Sequence, residues 1–227
     1  MKKEYWLIAF IILLITHLAS IQLRNESLQY FTKPLLIPVL GGYFLSQTNS
    51  ITSPLKKWIL LALFFSWGGD VLLMFVSSDS DFFLAGLAAF LVAHICYILF
   101  FHVIRVQGKI KGKLFLLLLV FIYYVGLMTI LSPWLGTFKL PVRIYGVVIC
   151  FMLMLAMHML YIKNKKAGWD MFSGALLFIL SDSVLAVNKF YIPFAEAGVI
   201  VMLTYGFAQL LIVRGAVHYI TTSEQKI

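Results

Sequence analysis

Residues 58–77 read WILLALFFSWGGDVLLMFVS, from Trp58 to Ser77, and Asp70 carries the only charge among them. A run of about twenty apolar residues is what an α-helix needs to cross the hydrocarbon core of a bilayer. Similar runs lie on both sides of it. Eight are counted, over 5–23, 30–46, 58–77, 82–104, 114–134, 141–162, 169–187 and 193–219, with short segments between them. The 227-residue chain is 62% hydrophobic and 12% charged, with a mean hydropathy of +0.97. An ordinary soluble domain is about 25% charged, so a soluble globular enzyme is excluded. The expectation is an all-α fold, a polytopic transmembrane bundle of eight spans forming one domain over 1–227.

The second run is the least regular, because Lys33 opens it and Pro34, Pro38, Gly41 and Gly42 interrupt it. It reads as a broken helix lining a cavity, since freed backbone groups at membrane depth need protein or water partners. Charge supports its inclusion. With eight crossings, thirteen of the 18 Lys and Arg fall on one side, in the segments holding Lys2, Lys3, Lys56, Lys57, Arg105, Lys109, Lys111, Lys113, Lys163, Lys165, Lys166, Arg214 and Lys226. The positive-inside rule then puts both termini in the cytoplasm, with a bacterial inner membrane as the expected location. The net charge of +9 is thus spent on orientation, and no nucleic-acid partner is expected. Residues 5–23 lead straight into the next run without a small-residue cleavage site and read as a permanent first helix. Cys96 and Cys150 lie inside apolar runs and build no disulfide framework or metal motif. Trp6, Trp58, Trp134 and Trp169 fall at span ends, as interfacial anchors do.

An ionisable residue far from a span's ends marks a bundle interior with a task. Two stand out: Asp70, in Gly68-Gly69-Asp70-Val71-Leu72-Leu73, and Asp182, in Leu180-Ser181-Asp182-Ser183-Val184-Leu185. Both spans run outward in the eight-span topology, which sets the two carboxylates within about 3 Å of one depth, in the non-cytoplasmic half. They are candidates for one shared cavity. Asp70 is followed at sixteen residues by Gly86 and Asp182 by Gly198, which hints at two parallel four-helix repeats. His94 and Tyr97 share one face of the fourth run, Tyr205 and Gln209 one face of the eighth, and Lys33 opens the second. Ser181 directly precedes Asp182. Together with Lys33, these are the candidate substrate contacts; Lys33 either holds a lipid phosphate or snorkels to the interface. Asn188, Glu196 and Asp170 near span ends read as solvated or capping. His17, His102, His158 and His218 have no HExxH spacing and no carboxylate three or four residues on, so no metal site and no cofactor is expected. No GxSxG, Walker or GxGxxG motif occurs.

These residues, in this order, resemble the YhhN-like lysoplasmalogenase family of integral membrane proteins. The resemblance rests on Lys33-Pro34, Gly69-Asp70-x-x-Leu73, Gly86 with Phe90, His94 and Tyr97, Gly174-x-x-x-Phe178-x-x-Ser181-Asp182, and Tyr205-x-x-Ala208-Gln209, over residues 30–215. It implies hydrolysis of the vinyl ether bond of a lysophospholipid drawn from the membrane, to a fatty aldehyde and a glycerophospho-ethanolamine or -choline, with Asp70 and Asp182 catalytic. The residues fit that chemistry on their own terms. Protonation of the alkene gives an oxocarbenium ion that water captures, which calls for one acid and one anion, as in glycosidases. In a low-dielectric pocket two carboxylates resist both being charged, so they divide these tasks. The less polar flanks of Asp70 favour it as the acid. Paired membrane acids also suit a proton-coupled transporter, which is the competing expectation.

Overall fold

The computed structural model describes residues 3–76, 79 and 81–224. The expected end of the third span at Ser77, and the basic residues Lys2 and Lys226, lie outside them. Every described element is helical: α1 (Lys3–Gln22), α2 (Glu26–Thr48), α3 (Lys56–Leu73), α4 (Asp81–Gln107), α5 (Leu114–Leu131), α6 (Lys139–His158), α7 (Lys165–Ala186) and α8 (Ala197–Glu224), with short 3-10 turns after α5 and α6 and a π turn over Val187–Tyr191. Six of them, α1 and α4 to α8, are long and apolar enough to cross a membrane, and the chain is an integral multi-pass membrane protein. The other two carry more polar residues: Lys56, Lys57 and Asp70 within the 18 residues of α3, and Glu26, Lys33 and two prolines in α2.

The helices pack in a closed cycle, α1 on α2, α2 on α3, α3 on α4, α4 on α6, α6 on α7, α7 on α8, and α8 back on α1 and α2. Among these contacts α7 with α8 and α3 with α4 are the most extensive. Helix α5 lies outside the cycle against α6 and turns Leu114, Phe115, Leu118, Phe121 and Ile122 outward. An apolar outer face of this kind suits lipid tails. Close approach of α7 and α8 depends on Gly174, where a Cβ would stand 2.8 Å from both Ala208 O and Ile212 N; small residues let membrane helices meet backbone to backbone.

Helix α2 is continuous through Pro34 and Pro38, a correction to the expected broken helix. Pro38 has no N–H to donate to the carbonyl of Pro34 four residues back. The indole Nε1 of Trp67 on α3 donates to that oxygen instead, at 3.0 Å. The helix also begins earlier than its apolar run, because Asn25 caps it by accepting from Leu28 N at 3.0 Å.

Three of the histidines away from Asp182, His17, His158 and His218, have structural partners. His17 Nδ1 and Thr32 Oγ1, 2.7 Å apart, tie α1 to α2, and His158 accepts from Lys113 N at 3.2 Å. Asp170 is no solvated cap. Arg214 on α8 grips it with two bonds, Nε to Oδ2 at 2.9 Å and Nη2 to Oδ1 at 2.6 Å, and His218 Nδ1 lies 3.1 Å from Oδ2. This network, together with Asn164 Nδ2 donating to His218 O at 3.2 Å, clamps one end of the α7 and α8 pair. The site described next lies toward the other end.

Candidate active site

Helix α3 delivers Asp70 beside Gly69, whose missing side chain makes room for the ring of Phe90 on α4: a Cβ there would sit 2.6 Å from Phe90 Cδ2. Phe90 in turn meets Tyr205 on α8 edge to face, centroids 5.8 Å apart. Helix α7 delivers Asp182. Its neighbour Ser181 donates to Val201 O on α8 at 2.9 Å, which fixes the rotation of α7 at this level. Asp70 and Asp182 both line one cavity of about 350 Å³, together with Lys33, Tyr145, Ser181 and Tyr205. The rest of its wall is mainly apolar, from Phe83, Leu87 and Phe90 on α4 to Leu185 on α7 and Met202 on α8.

Each carboxylate accepts a hydrogen bond from a tyrosine on a different helix. Tyr205 Oη donates to Asp70 Oδ2 at 2.6 Å, and Tyr145 Oη donates to Asp182 Oδ2. Behind Tyr205 a chain of polar groups runs away from the cavity. Tyr97 Oη donates to Gln209 Oε1 at 2.6 Å, and Gln209 Nε2 donates to Ser66 Oγ at 2.9 Å and to Tyr205 Oη at 3.4 Å. Behind Tyr145 stands His94, fully buried, with Nε2 2.8 Å from the hydroxyl and 3.5 Å from Asp182 Oδ2. Because the tyrosine hydrogen goes to Asp182, the network assigns the histidine proton to Nε2. Its Nδ1 has no hydrogen-bond partner among the described residues.

The candidate residues therefore divide by place. Lys33, Asp70, Ser181, Asp182 and Tyr205 line the cavity, while His94, Tyr97 and Gln209 form a layer behind it. Tyr145 was not among the sequence candidates. Nothing about its place in the run 141–162 marked it, because its pairing with Asp182 joins positions 37 residues apart. Asp182 differs from Asp70 in exposure, with 18% of its side chain open against 2% for Asp70 as a residue. A second void of about 40 Å³, lined by Tyr123, Tyr145, Cys150, Asp182 and Ser183, lies on another side of Asp182 and is roomy enough for a water molecule. No group of three or more His, Cys, Asp or Glu is disposed to hold a metal ion among the described residues.

Membrane helices closing around a largely apolar cavity, with two tyrosine-held carboxylates in its wall, define a polytopic membrane protein with an internal acidic site. The chain belongs to the YhhN family, whose model matches residues 28–216. Its curated relatives are enzymes. It is 32% identical over 216 residues to lysoplasmalogenase TMEM86B of Homo sapiens, covering 93% of this chain and 86% of that protein. It is 34% identical over 171 residues to lysoplasmalogenase TMEM86A of Bos taurus, with 74% and 68% covered. It is 28% identical over 163 residues to the lysoplasmalogenase of Mycobacterium bovis, with 70% and 60% covered. No solved structure matches the chain.

Proposed function

We propose that this lysoplasmalogenase-like protein hydrolyses the vinyl ether bond of 1-alkenyl lysophospholipids in the membrane, with Asp70 and Asp182 as its two catalytic groups. The reading extends to eight crossings with both termini cytoplasmic, which sets the cavity in the non-cytoplasmic half. The observation that carries it is the meeting of Asp70 and Asp182 in one largely apolar cavity, each held by a tyrosine. The relatives' names support the substrate class.

In this reaction Asp70, the more enclosed of the two, transfers its proton to the alkene carbon distal to the ether oxygen. The adjacent carbon becomes an oxocarbenium centre. Asp182, ionised and open to the cavity, stabilises that cation and takes a proton from the water that attacks it. The hemiacetal formed collapses, its hydroxyl proton ending on the glycerol oxygen as the C–O bond breaks. A fatty aldehyde and the glycerophospho-base leave, and the proton on Asp182 returns to Asp70. One water is consumed, and no electron is transferred.

The test is aldehyde release from 1-alkenyl lysophosphatidylethanolamine by the purified protein in detergent, beside Asp70→Asn and Asp182→Asn, with and without chelator. Release by the wild type, lost in both folded variants and spared by chelator, is the expected result. Near-normal turnover in both variants would sink the two-aspartate reaction. A transporter would instead need sealed vesicles and leave its substrate chemically unchanged.

A further inference from the structure

A second cleft, of about 240 Å³, opens beside the cavity and is lined by Glu26, Gln29, Tyr30, Lys33, Leu73 and Met74. It shares Lys33 and Leu73 with the main cavity, so the two meet at those side chains. Its character is different. The main cavity is chiefly apolar, whereas this cleft is walled by one face of the first two turns of α2, where Glu26, Gln29, Tyr30 and Lys33 follow at the spacing of helix neighbours.

Two opposite charges lie in this cleft without neutralising each other. Neither Glu26 nor Lys33 makes an ion pair or a side-chain hydrogen bond among the described residues. Their positions on α2 are about 10 Å apart along the axis. Between them Tyr30 presents its ring, held by a contact with Phe75, centroids 6.1 Å apart, and by its hydroxyl at 3.5 Å from Met74 O.

From the main cavity, whose wall also holds Lys189 over the Phe83 ring, the order along α2 is ammonium at Lys33, aromatic ring at Tyr30, carboxylate at Glu26. A 1-alkenyl lysophospholipid has the complementary order: vinyl ether, then phosphate one glycerol away, then the cationic base. A lipid with its ether bond between Asp70 and Asp182 and its headgroup turned past the shared Lys33 would carry its base along this face of α2. We propose that this cleft is a headgroup subsite for a zwitterionic phospho-base, with Lys33 on the phosphate and Glu26 and the Tyr30 face on the ammonium. The proposal rests on the lysophospholipid reading above and adds selection for a cationic base.

Binding of ether analogues that lack the double bond tests it apart from turnover. The probes are 1-O-hexadecyl-glycero-3-phosphoethanolamine and the matching glycero-3-phosphate, titrated into the full-length protein in detergent, with free glycerophosphoethanolamine as competitor. Glu26→Gln is expected to weaken the ethanolamine analogue about fivefold, the scale of one partly exposed charge contact, and to leave the phosphate analogue unchanged. Glu26→Lys is expected to reverse the preference, and Lys33→Ala to weaken both analogues. Displacement by the free competitor that also depends on Glu26 would mean that the phospho-base alone is recognised; displacement only by the ether lipids would mean that the chain must anchor it first, and either is consistent with the subsite. Wild-type affinities for both analogues in Glu26→Gln and Glu26→Lys, or equal losses for both, would overturn it. Aldehyde release is followed in parallel. Headgroup selection that depends on Glu26 without aldehyde release would keep the subsite and reject the hydrolase, and the converse would reject the subsite alone.

Discussion

Tyr145 on α6 donates its hydroxyl hydrogen to Asp182 on α7, the counterpart of the bond from Tyr205 on α8 to Asp70 on α3. Asp182 is therefore aimed by a residue that itself accepts from His94. In the proposed reaction Asp182 must face the cation and the water, and a carboxylate that loses its tyrosine donor is freer to rotate. Tyr145→Phe is expected to lower kcat about 10- to 100-fold, a loss of positioning and so less than the roughly 100- to 10,000-fold that a proton-transfer group itself contributes, with KM little changed. His94→Leu should reproduce that loss more weakly, and His94→Gln, which restores a donor, should recover part of it. Equal kcat in wild type and Tyr145→Phe would show that Asp182 is held well enough without the bond.

The other carboxylate depends on packing at one remove. A Cβ on Gly69 would press into the Phe90 ring, and Phe90 leans on Tyr205, the donor to Asp70. Gly69→Ala is expected to displace that donor and lower aldehyde release at least about tenfold, since misplacement of catalytic groups by even 1 Å is severe. Phe90→Leu in the same chain leaves room for the new methyl and should return part of the activity. If the double variant were no better than Gly69→Ala, the loss would not pass through Phe90.

How much of this was legible in the chain depended on what kind of contact held each residue. Asp70 and Asp182 stood out because a charge inside an apolar run has few explanations, and the expectation of a shared cavity rested on helical rise within the eight-span topology. Tyr205 and Gln209 carried a local signal, four residues apart on one face. Tyr145 carried none, because its meaning lies in which helix faces α7. Asp170 was misread for the same reason: its partners, Arg214 and His218, sit 44 and 48 residues away on α8. The continuity of α2 was hidden because proline spacing reports the missing N–H but not the indole that replaces it.

The Asp170 network bears on stability and not on the site. Asp170 and Asp182 are twelve residues apart on α7, about 18 Å along the axis. Asp170→Asn leaves the Arg214 guanidinium without its carboxylate in a partly buried setting, a loss of about 1–3 kcal/mol. For a chain of this size that corresponds to a fall in Tm of roughly 3–8 °C. Thermal unfolding in detergent should show it, while kcat per folded molecule stays at the wild-type value. An unchanged Tm would mean that water replaces the carboxylate at that end of the α7 and α8 pair.

The bond from Trp67 to Pro34 O makes a sharper demand, because it replaces a specific missing group. An orphaned backbone carbonyl is costly, so Trp67→Phe should lower Tm by several degrees, on the scale of about 1–3 kcal/mol for one unpaired polar group. The loss should disappear when the missing donor is put back. Pro38→Ala restores an N–H at the residue that faces Pro34 O in an α-helix. In the Trp67→Phe background this second change should therefore raise Tm toward the wild-type value, and by more than it does when Trp67 is present. Additive shifts in the double-mutant cycle would show that the indole contributes by packing and that Pro34 O finds its partner elsewhere.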